Sequence, residues 1–395
     1  YVRRGRLYAS QKDYPNAIAD MDKAIQLDTS NTFAYFNRAI MFYEQERYAE
    51  AMSDLNRVLK DEPGNALTLY NSAQLGAFDE ALDDMDRVLS INPDNVLAYF
   101  NRASIFIEMG QYRNALEDYD KAIEYYKQAI AADAEGNALF LAECDEIMEL
   151  INAPVADRYE LFNGKENLYE KRYDSETKAL KQRILKGEYA DVLEKLQTRF
   201  YSRREHIEDL HDIYVDVCLL SGFEAWKNGN NDEALKFMLL ANEYPENHGY
   251  AHLEYYARDA QVYYNIALAY EKLGDAENAN NYYQMASQVE VKDKDSKYNY
   301  EKGLAMKKLD PKASVKSMYK GIVKNGQSAL TTYVQRFWES FDRGPYEQDV
   351  NSEAYYTQAI GYKALGRNFK AKRMFKKALE QRNDNLWANY YLCNL

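Results

Sequence analysis

The chain has 395 residues, of which 46% are hydrophobic, and it carries a formal net charge of −13. Its apolar content is too high for a disordered acidic polymer, and its negative charge argues against a general affinity for nucleic acid. No stretch reaches the ~18 uninterrupted apolar residues of a membrane-spanning helix. Cys144, Cys218 and Cys393 lack paired spacing, so we expect them to be buried, small apolar residues.

The first predicted elements form a repeat. The segment YFNRA at 35–39 recurs letter for letter at 99–103, and the related LYNSA lies between them at 69–73. The first step is 34 residues and the second is 30 residues. A period of this length predicts units that each consist of a helix, a turn and a second helix.

Small residues and turn signals recur with the same period. The segments EPGN at 62–65 and NPDN at 92–95 predict the ends of helices, because proline cannot continue the preceding helix. The small residues predicted at the close helix crossings are Gly5 and Ala17, Ala39 and Ala51, Ala73 and Ala81, and Ala103 and Ala115. With these features, the four units closely resemble the tetratricopeptide repeat family. The resemblance implies an all-α, right-handed superhelical solenoid of antiparallel helix pairs, whose concave face binds a protein or peptide.

The period is interrupted at two points. The first helix of the third unit is four residues short between Ala73 and Gly76. The segment KAI at 121–123 is followed by KQAI at 127–130, an offset of 7 residues where 34 are expected. Two explanations remain open for the second point. Either about 27 residues are absent by the repeat length, or the second helix is continuous and unusually long.

A boundary is predicted near the middle of the chain. Pro154, Asn163 and Gly164 lie in a stretch of mixed charge without a clear period. We therefore predict an N-terminal array of about four repeats at 1–150, an irregular linker at 151–173, and a degenerate C-terminal array at 174–395. The small residues that mark units of the second array are Gly222, Ala234, Ala267, Ala279, Gly303, Ala359 and Ala371. The segment 386–395 predicts a closing helix that covers the exposed face of the last repeat.

The second array also resembles a more specific group. The segments at 210–216, 243–247 and 259–264 are similar to the C-terminal tetratricopeptide tail of large bacterial proteins of unassigned function. In those proteins a β-rich region that looks like sugar-active folds precedes the tail, and nothing in this chain matches that region. The resemblance implies an alternative function, a regulatory or positioning tail of a carbohydrate-active enzyme. The compartment stays open, with the cell envelope or periplasm slightly favoured over the cytoplasm.

Ligand contacts in the tetratricopeptide family come often from the fifth and sixth positions of the first helix. Carried onto this chain, the fifth positions are Phe36, Tyr70, Phe100 and Tyr264, and the sixth are Asn37, Asn71, Asn101 and Asn265. An asparagine offers an acceptor and two donors to a peptide backbone. Helices packed 8–10 Å apart would place one asparagine at about every third residue of an extended peptide. The alternative is that these asparagines serve only the turn or the packing.

No catalytic or cofactor motif is present. The sequence lacks a glycine-rich phosphate loop, a nucleophile elbow and a cysteine cluster, so we predict a non-enzymatic protein without a cofactor. His248 and His252 are four residues apart, but they follow Pro245 in a predicted connection, and we expect no metal site.

Eight basic residues between Lys363 and Arg382 predict a solvated outer face, with a docking patch for an acidic partner as the alternative. The oligomeric state is left open.

Overall fold

The structure, a computed structural model, is helical throughout the residues that it describes. These residues are 1–45, 47–61, 78–109, 111–132, 138–201, 207–248, 256, 258–293, 295–332 and 347–394. Within these ranges the chain forms α-helices and one short 3₁₀ turn, without a β-strand. The predicted all-α class of consecutive helix pairs is therefore confirmed.

The chain divides into two compact units, Tyr1–Ile147 and Met148–Leu395. In the first unit, consecutive helices pack against each other, as helix pairs in a repeat array do. The helices up to the boundary are α1 (Val2–Ser10), α2 (Tyr14–Leu27), α3 (Thr32–Glu44), α4 (Tyr48–Asp61), α5 (Phe78–Ile91), α6 (Val96–Glu108), α7 (Tyr112–Ala132) and α8 (Ala138–Leu150).

Asparagine caps start the first helices of the repeats. The Oδ1 atoms of Asn31 and Asn95 accept the backbone N–H groups of Ala34 and Ala98 at 2.9 Å each. Such a cap satisfies one of the orphan donors at a helix start. The predicted small residues at the crossings, Ala17, Ala39, Ala51, Ala81, Ala103 and Ala115, are all buried. The repeat pattern therefore identified the helix contacts, while Ala73 lies outside the described residues.

The arginine of the repeated segment connects neighbouring helix pairs. Arg38 of α3 donates to Asp54 of α4 at 2.7 Å and to Asp22 of α2 at 2.6 Å. Arg102 of α6 makes the same two contacts, with Asp118 of α7 and Asp86 of α5. Each aspartate is 16 residues from its arginine, on one side or the other. The arginine thus ties the second helix of its own repeat to that of the preceding repeat.

Helix α7 runs unbroken for 21 residues from Tyr112 to Ala132. It includes both copies of the duplicated segment, at 121–123 and 127–130. This geometry corresponds to the second explanation above, a continuous and unusually long second helix. The shortened helix near Ala73 and Gly76 lies outside the described residues.

The second unit is also built from consecutive helices. After α8 its helices are α9 (Val155–Phe162), α10 (Glu166–Tyr169), α11 (Tyr173–Lys186), α12 (Tyr189–Thr198), α13 (Ile207–Lys227), α14 (Asn231–Leu240), α15 (Asp259–Leu273), α16 (Ala276–Gln288), α17 (Asn299–Leu309), α18 (Lys316–Thr332), α19 (Glu347–Ala364), α20 (Asn368–Gln381) and α21 (Leu386–Cys393). The segment predicted as an irregular linker, 151–173, contains α9 and α10, and both pack on α11. The structure differs from the prediction of an irregular linker. These short helices have a buried apolar face, which consists of Leu161, Phe162, Leu168 and Tyr169.

The two ends of the second unit meet. The side-chain amide of Asn383, in the turn before α21, donates to the backbone oxygens of Asn152 and Ala153 at 2.9 Å each. The buried guanidinium of Arg158 donates to Asp384 and to Glu149 at 2.6 Å each. Burial alone would raise the pKa of Glu149, but Lys178 and Arg158 lower it to about 2. This charged cluster fixes the turn that precedes α21 on the first residues of the unit.

The cysteines differ in their burial. Cys144 and Cys218 are buried, as expected, whereas Cys393 near the end of α21 is exposed. The expectation of burial was wrong for Cys393, because this residue lies on the exposed side of the last turn of α21.

Candidate binding site in the second unit

A cavity of about 240 Å³ lies among the first helices of successive pairs in the second unit. We call it the central cavity. Helices α11, α13, α17, α19 and α21 contribute to its wall, as do the residues that begin α15. Its charged side chains are Lys181, Asp212, Asp216, Arg258, Lys297 and Glu301. Alternate helices therefore supply the lining, as the tetratricopeptide resemblance implies for a ligand-binding face.

Arg258 organises one wall of the central cavity. Its buried guanidinium donates from Nη1 to Oδ1 of Asp212 at 2.9 Å and from Nη2 to Oδ1 of Asp216. The Tyr256 hydroxyl also donates to Asp212. Burial raises the pKa of Asp216 despite the nearby guanidinium. Two carboxylates of α13 thus share one buried arginine. Removing these charged groups from water has a desolvation cost.

Lys297 lies on another wall, in the turn before α17. Its ammonium group pairs with Glu353 of α19. The Nζ atom also lies 5.2 Å from the ring centroid of Tyr298 and 5.1 Å from that of Tyr356. Burial alone would lower the pKa of Lys297, but Glu353 raises it above its usual range. The lysine is therefore charged and held between two aromatic faces.

Glu301 of α17 is the most weakly compensated carboxyl group of the lining. The residue is 6% exposed, and the Tyr391 hydroxyl donates to its Oε1 atom over a long distance of 3.4 Å. Burial raises the pKa of Glu301 to about 7. At neutral pH the cavity therefore contains a carboxyl group that is part protonated and able both to donate and to accept.

The lining is balanced in formal charge. Lys181, Arg258 and Lys297 are matched by Asp212, Asp216 and Glu301, so the cavity does not select a strongly charged ligand by net charge. Tyr356 and Trp387 add aromatic surface. Alternating donors, acceptors and aromatic faces suit the polar and aromatic groups of a protein segment.

The predicted contact residues of the first unit that the structure describes, Phe36, Asn37, Phe100 and Asn101, are buried. Phe36 is 5% exposed and Phe100 is 8% exposed. Asn37 is 9% exposed, and its Nδ2 donates to the backbone oxygen of Phe33 at 2.7 Å, one turn earlier on the same helix. Asn101 is fully buried. The bond of Asn37 to its own helix agrees with the packing role that the sequence left open.

The other four predicted contact residues have different outcomes. Asn265 is 6% exposed, and its Nδ2 donates to the backbone oxygen of Gln261 at 2.8 Å. Tyr264 is half-buried, with its ring centroid 5.8 Å from that of Tyr283. Tyr70 and Asn71 lie outside the described residues. The role of these eight residues in peptide binding stays a prediction.

Sequence reasoning missed the residues of the central cavity, although a signal for two of them was available. Gly303 was identified as a small crossing residue, and the sixth position that precedes it by two residues is Glu301. Ala359 was identified in the same way, and the fifth position that precedes it by three residues is Tyr356. The same counting rule that selected the asparagines therefore finds both. Arg258 has no such signal, because it lies outside the repeated positions.

Only one histidine of the predicted pair lies in the part of the chain that the structure describes. His248 is fully buried, with Nε2 2.7 Å from the backbone oxygen of Leu196. The edges of Tyr201 and Tyr214 lie against its ring. His252 lies outside the described residues, and within the described ranges there is no cluster of three His, Cys, Asp or Glu residues that could hold a metal ion.

The basic run is only in part a solvated face. Lys370 and Arg373 of α20 are exposed. Arg382, at the end of the run, instead pairs with Asp349 and Asp384. Lys363 is half-buried, with Nζ 5.4 Å from the ring centroid of Tyr391. The two ends of the run therefore belong to the interior contacts of the second unit.

Comparisons with known proteins identify the repeats. Profiles described as tetratricopeptide repeat match residues 2–66, 96–128 and 260–288. These matches fall in both units. No curated protein gives a significant match. Among the described residues, no helix is long and apolar enough to span a membrane.

Solved structures show a distant likeness. A tetratricopeptide repeat protein from Parabacteroides merdae ATCC 43184 is 15% identical, with 68% of this chain and 96% of that chain covered and a TM-score of 0.28. A human IFIT1 dimer with m7Gppp-AAAA is 14% identical, with 95% and 88% covered and a TM-score of 0.31. A monomeric IFIT1 mutant with Gppp-AAAA is 13% identical, with 96% and 89% covered and a TM-score of 0.29. Likeness of this extent implies nothing about a ligand of this chain.

Proposed function

Because the chain is a tetratricopeptide repeat protein, with repeats matched in both units, we propose that it is a non-enzymatic scaffold that binds a segment of a protein partner. Stacked helix pairs offer a long surface for such a partner. The observation that carries the proposal is the central cavity, whose wall comes from alternate helices of the second unit.

The chemistry of the lining supports a protein segment as the ligand. Two or three hydrogen bonds at roughly 0.5–1.5 kcal/mol each contribute only a few kcal/mol of binding free energy. The partner must therefore also bury apolar surface. Tyr298 and Tyr356 provide aromatic surface beside the charged groups, so one segment of a partner could make both kinds of contact.

The site in the second unit is proposed in addition to the asparagine positions of the first unit. Asn37 and Asn101 are buried in their own repeat, so a peptide that uses them must first reach side chains already packed against the helix. The charged groups of the central cavity border open space. The exclusion of nucleic acid as a partner rests on the net charge and stays a prediction.

An affinity experiment with two matched charge reversals tests the proposal. Lys181 is exposed at the edge of the central cavity, and Lys372 is exposed on α20, away from the lining. Both Lys181→Glu and Lys372→Glu change the net charge by the same amount and leave the cores intact. Proteins retained by the immobilised full chain are identified by mass spectrometry.

We expect a partner that the wild type and Lys372→Glu retain equally and that Lys181→Glu retains at least tenfold less. If both variants retain the same proteins to the same extent as the wild type, the central cavity is not the binding site. If the wild type retains no protein above an uncoupled resin, the scaffold function itself is contradicted.

A further inference from the structure

The last helix of the second unit, α21, lies against the central cavity. Trp387 lines the cavity, and its indole N–H donates to Oδ1 of Asp216 at 2.9 Å. Tyr390 stacks on Phe223, with ring centroids 5.0 Å and planes 22° apart. Asp216 and Phe223 are about two turns apart on α13. Helix α21 therefore covers an extended part of the α13 surface, although 171 residues separate Trp387 from Asp216.

Other side chains of α21 contact α17, α19 and α20. The Tyr391 hydroxyl donates to Glu301 at 3.4 Å. Its ring centroid lies 6.5 Å from that of Tyr356 and 5.7 Å from that of Phe375. Thus α21 bridges the first helices of several repeats. A short helix from a partner protein bound across this surface would make contacts of the same kind.

Side-chain contacts, rather than intrinsic helix stability, hold α21 in place. An isolated helix of eight residues is unstable in water. Only Ala388 of α21 is fully buried, whereas Trp387, Tyr390 and Tyr391 are half-buried. The preceding turn is anchored separately, because Asn383 bonds to Asn152 and Ala153. Helix α21 can therefore leave the cavity while the ends of the unit remain joined.

We propose that α21 is an intramolecular occupant of a helix-binding surface, and that the protein partner inserts a short aromatic helix in its place. The surface consists of Asp216, Phe223, Glu301 and Tyr356. The partner helix presents an N–H donor such as indole to Asp216, an aromatic ring to Phe223 and a tyrosine hydroxyl to Glu301. The inference rests on the proposed function, since it names the kind of segment that the same cavity binds.

A competition between the tethered helix and a free one tests this. The probe is a fluorescently labelled synthetic peptide with the sequence of residues 386–395, and fluorescence anisotropy measures its binding to the full chain. In the full-length variant Trp387→Ala the tethered helix loses its bond to Asp216 and its indole ring. We expect the peptide to bind this variant at least tenfold more tightly than it binds the wild type, because the tethered competitor is weaker.

Two controls define the specificity. Asn389 is exposed on α21, so the full-length variant Asn389→Ala should bind the peptide as the wild type does. A peptide that itself carries Trp387→Ala should bind the Trp387→Ala chain at least tenfold more weakly than the unaltered peptide. Equal affinity of the peptide for the wild type and the Trp387→Ala chain would overturn the inference. Equal affinity of the two peptides would overturn it as well.

A second measurement applies if far-UV circular dichroism shows that Trp387→Ala loses folded structure. Hydrogen exchange of the wild type should be at least tenfold faster for the amides of α21 than for those of α20, and equal rates would contradict the inference.

The scaffold function and the helical ligand can be contradicted separately. If Lys181→Glu loses the partner but the 386–395 peptide does not bind the Trp387→Ala chain, the scaffold function is supported and the proposal of a helical ligand is contradicted. Peptide binding with no effect of Lys181→Glu on partner retention contradicts the partner site of the proposed function.

Discussion

The same helical position contributes to packing in both units, and in one repeat of the second unit it also borders the central cavity. Two residues before the small crossing residue, the first unit has Asn37 and Asn101, both buried within their own repeat. At the equivalent position before Gly303, the second unit has Glu301, which borders the central cavity. Asn265, where the second unit keeps the asparagine, bonds to its own helix. The recurring asparagine therefore packs within its own repeat, whereas Glu301, which replaces it before Gly303, borders the central cavity.

Charged pairs show the same contrast. In the first unit, Arg38 and Arg102 make equivalent contacts with aspartates of neighbouring helices, and each arginine side chain is 19% exposed. In the second unit the Arg258 side chain is 6% exposed, and it has no counterpart among the described residues of the other repeats. Repeated pairs connect one repeat to the next, whereas the buried Arg258 pairs border the central cavity, and the desolvation of such pairs can cost more than their attraction returns. Four experiments test this contrast.

Replacing Arg258 with alanine should have the largest effect. The change leaves Asp212 and Asp216 without their shared guanidinium, and removing one partner of a buried charge pair costs about 3–5 kcal/mol. All three tryptophans, Trp226, Trp338 and Trp387, lie in the second half of the chain, so urea unfolding followed by tryptophan fluorescence reports on the second unit.

A matched control for this measurement is Arg172→Ala. Arg172 pairs with Asp174 on the surface, with side-chain exposures of 42% and 47%, and its loss should cost less than about 1 kcal/mol. Equal losses for Arg258→Ala and Arg172→Ala would show that the buried pair is no more important to the second unit than a surface pair.

The pH dependence of the second unit should respond to Glu301→Gln. Burial raises the pKa of Glu301 from its ordinary 4.5 to about 7 in the folded protein, so the folded state binds this proton more tightly than the unfolded state. The stabilisation is complete below pH 4.5 and is lost as the pH rises to about 7. Relative to the wild type, the variant should gain roughly 2–3 kcal/mol between pH 4.5 and pH 8.

Urea unfolding at the two pH values, again followed by tryptophan fluorescence, measures this change. Some pH dependence should remain in the variant, because burial also raises the pKa of Glu176 to about 7. An unchanged slope of stability against pH in Glu301→Gln would mean that the carboxyl group is hydrated in the folded protein.

Replacing Arg102 with alanine should weaken only the first unit. The change removes the charged hydrogen bonds to Asp118, whose side chain is 5% exposed, and should cost about 1.5–3 kcal/mol. The loss should appear in urea unfolding followed by far-UV circular dichroism and leave the tryptophan transition unchanged. Asp86→Ala is the control, since Asp86 is 59% exposed, and its effect should stay below about 1 kcal/mol. A shift of the tryptophan transition would contradict the independence of the two units.

Alanine substitutions at the small crossing residues Gly303 and Gly5 should give the smallest difference in stability between the two units. A Cβ atom on Gly303 would lie 2.5 Å from Cε1 of the buried Tyr319 ring, so Gly303→Ala should cost about 1–2 kcal/mol net of the gain in helix propensity. At Gly5 the nearest atom is the terminal methyl of Met21 at 2.9 Å. Methionine adapts easily, but the backbone oxygen of Ala17 lies 3.1 Å from the same Cβ position, so Gly5→Ala should lower thermal stability by less than Gly303→Ala does. A larger loss at Gly5 would show that the first unit is packed more rigidly than the second.

Much of the helical fold was predictable from residues such as Ala39 and Asn95. The small side chain marks a close helix crossing, and the asparagine caps the start of a helix, so both act on neighbours within one repeat. The helices at 151–173 were missed because they are short and follow no period. Both helices pack on the later helix α11, and their apolar residues, among them Leu161 and Tyr169, are buried. The central cavity was missed for a related reason, since Arg258 and Lys297 lie before helices rather than at repeated positions.

The helix pairs and their crossings were predictable from the sequence, because they depend on contacts within one repeat or between neighbours, and so was the presence of a helix at 386–395. The tertiary structure decided which distant elements meet. Trp387 contacts Asp216 across 171 residues, and Arg158 contacts Asp384 across 226 residues. No period encodes these contacts. They depend on how the helix pairs of the second unit stack on one another, which brings its last helix to the central cavity.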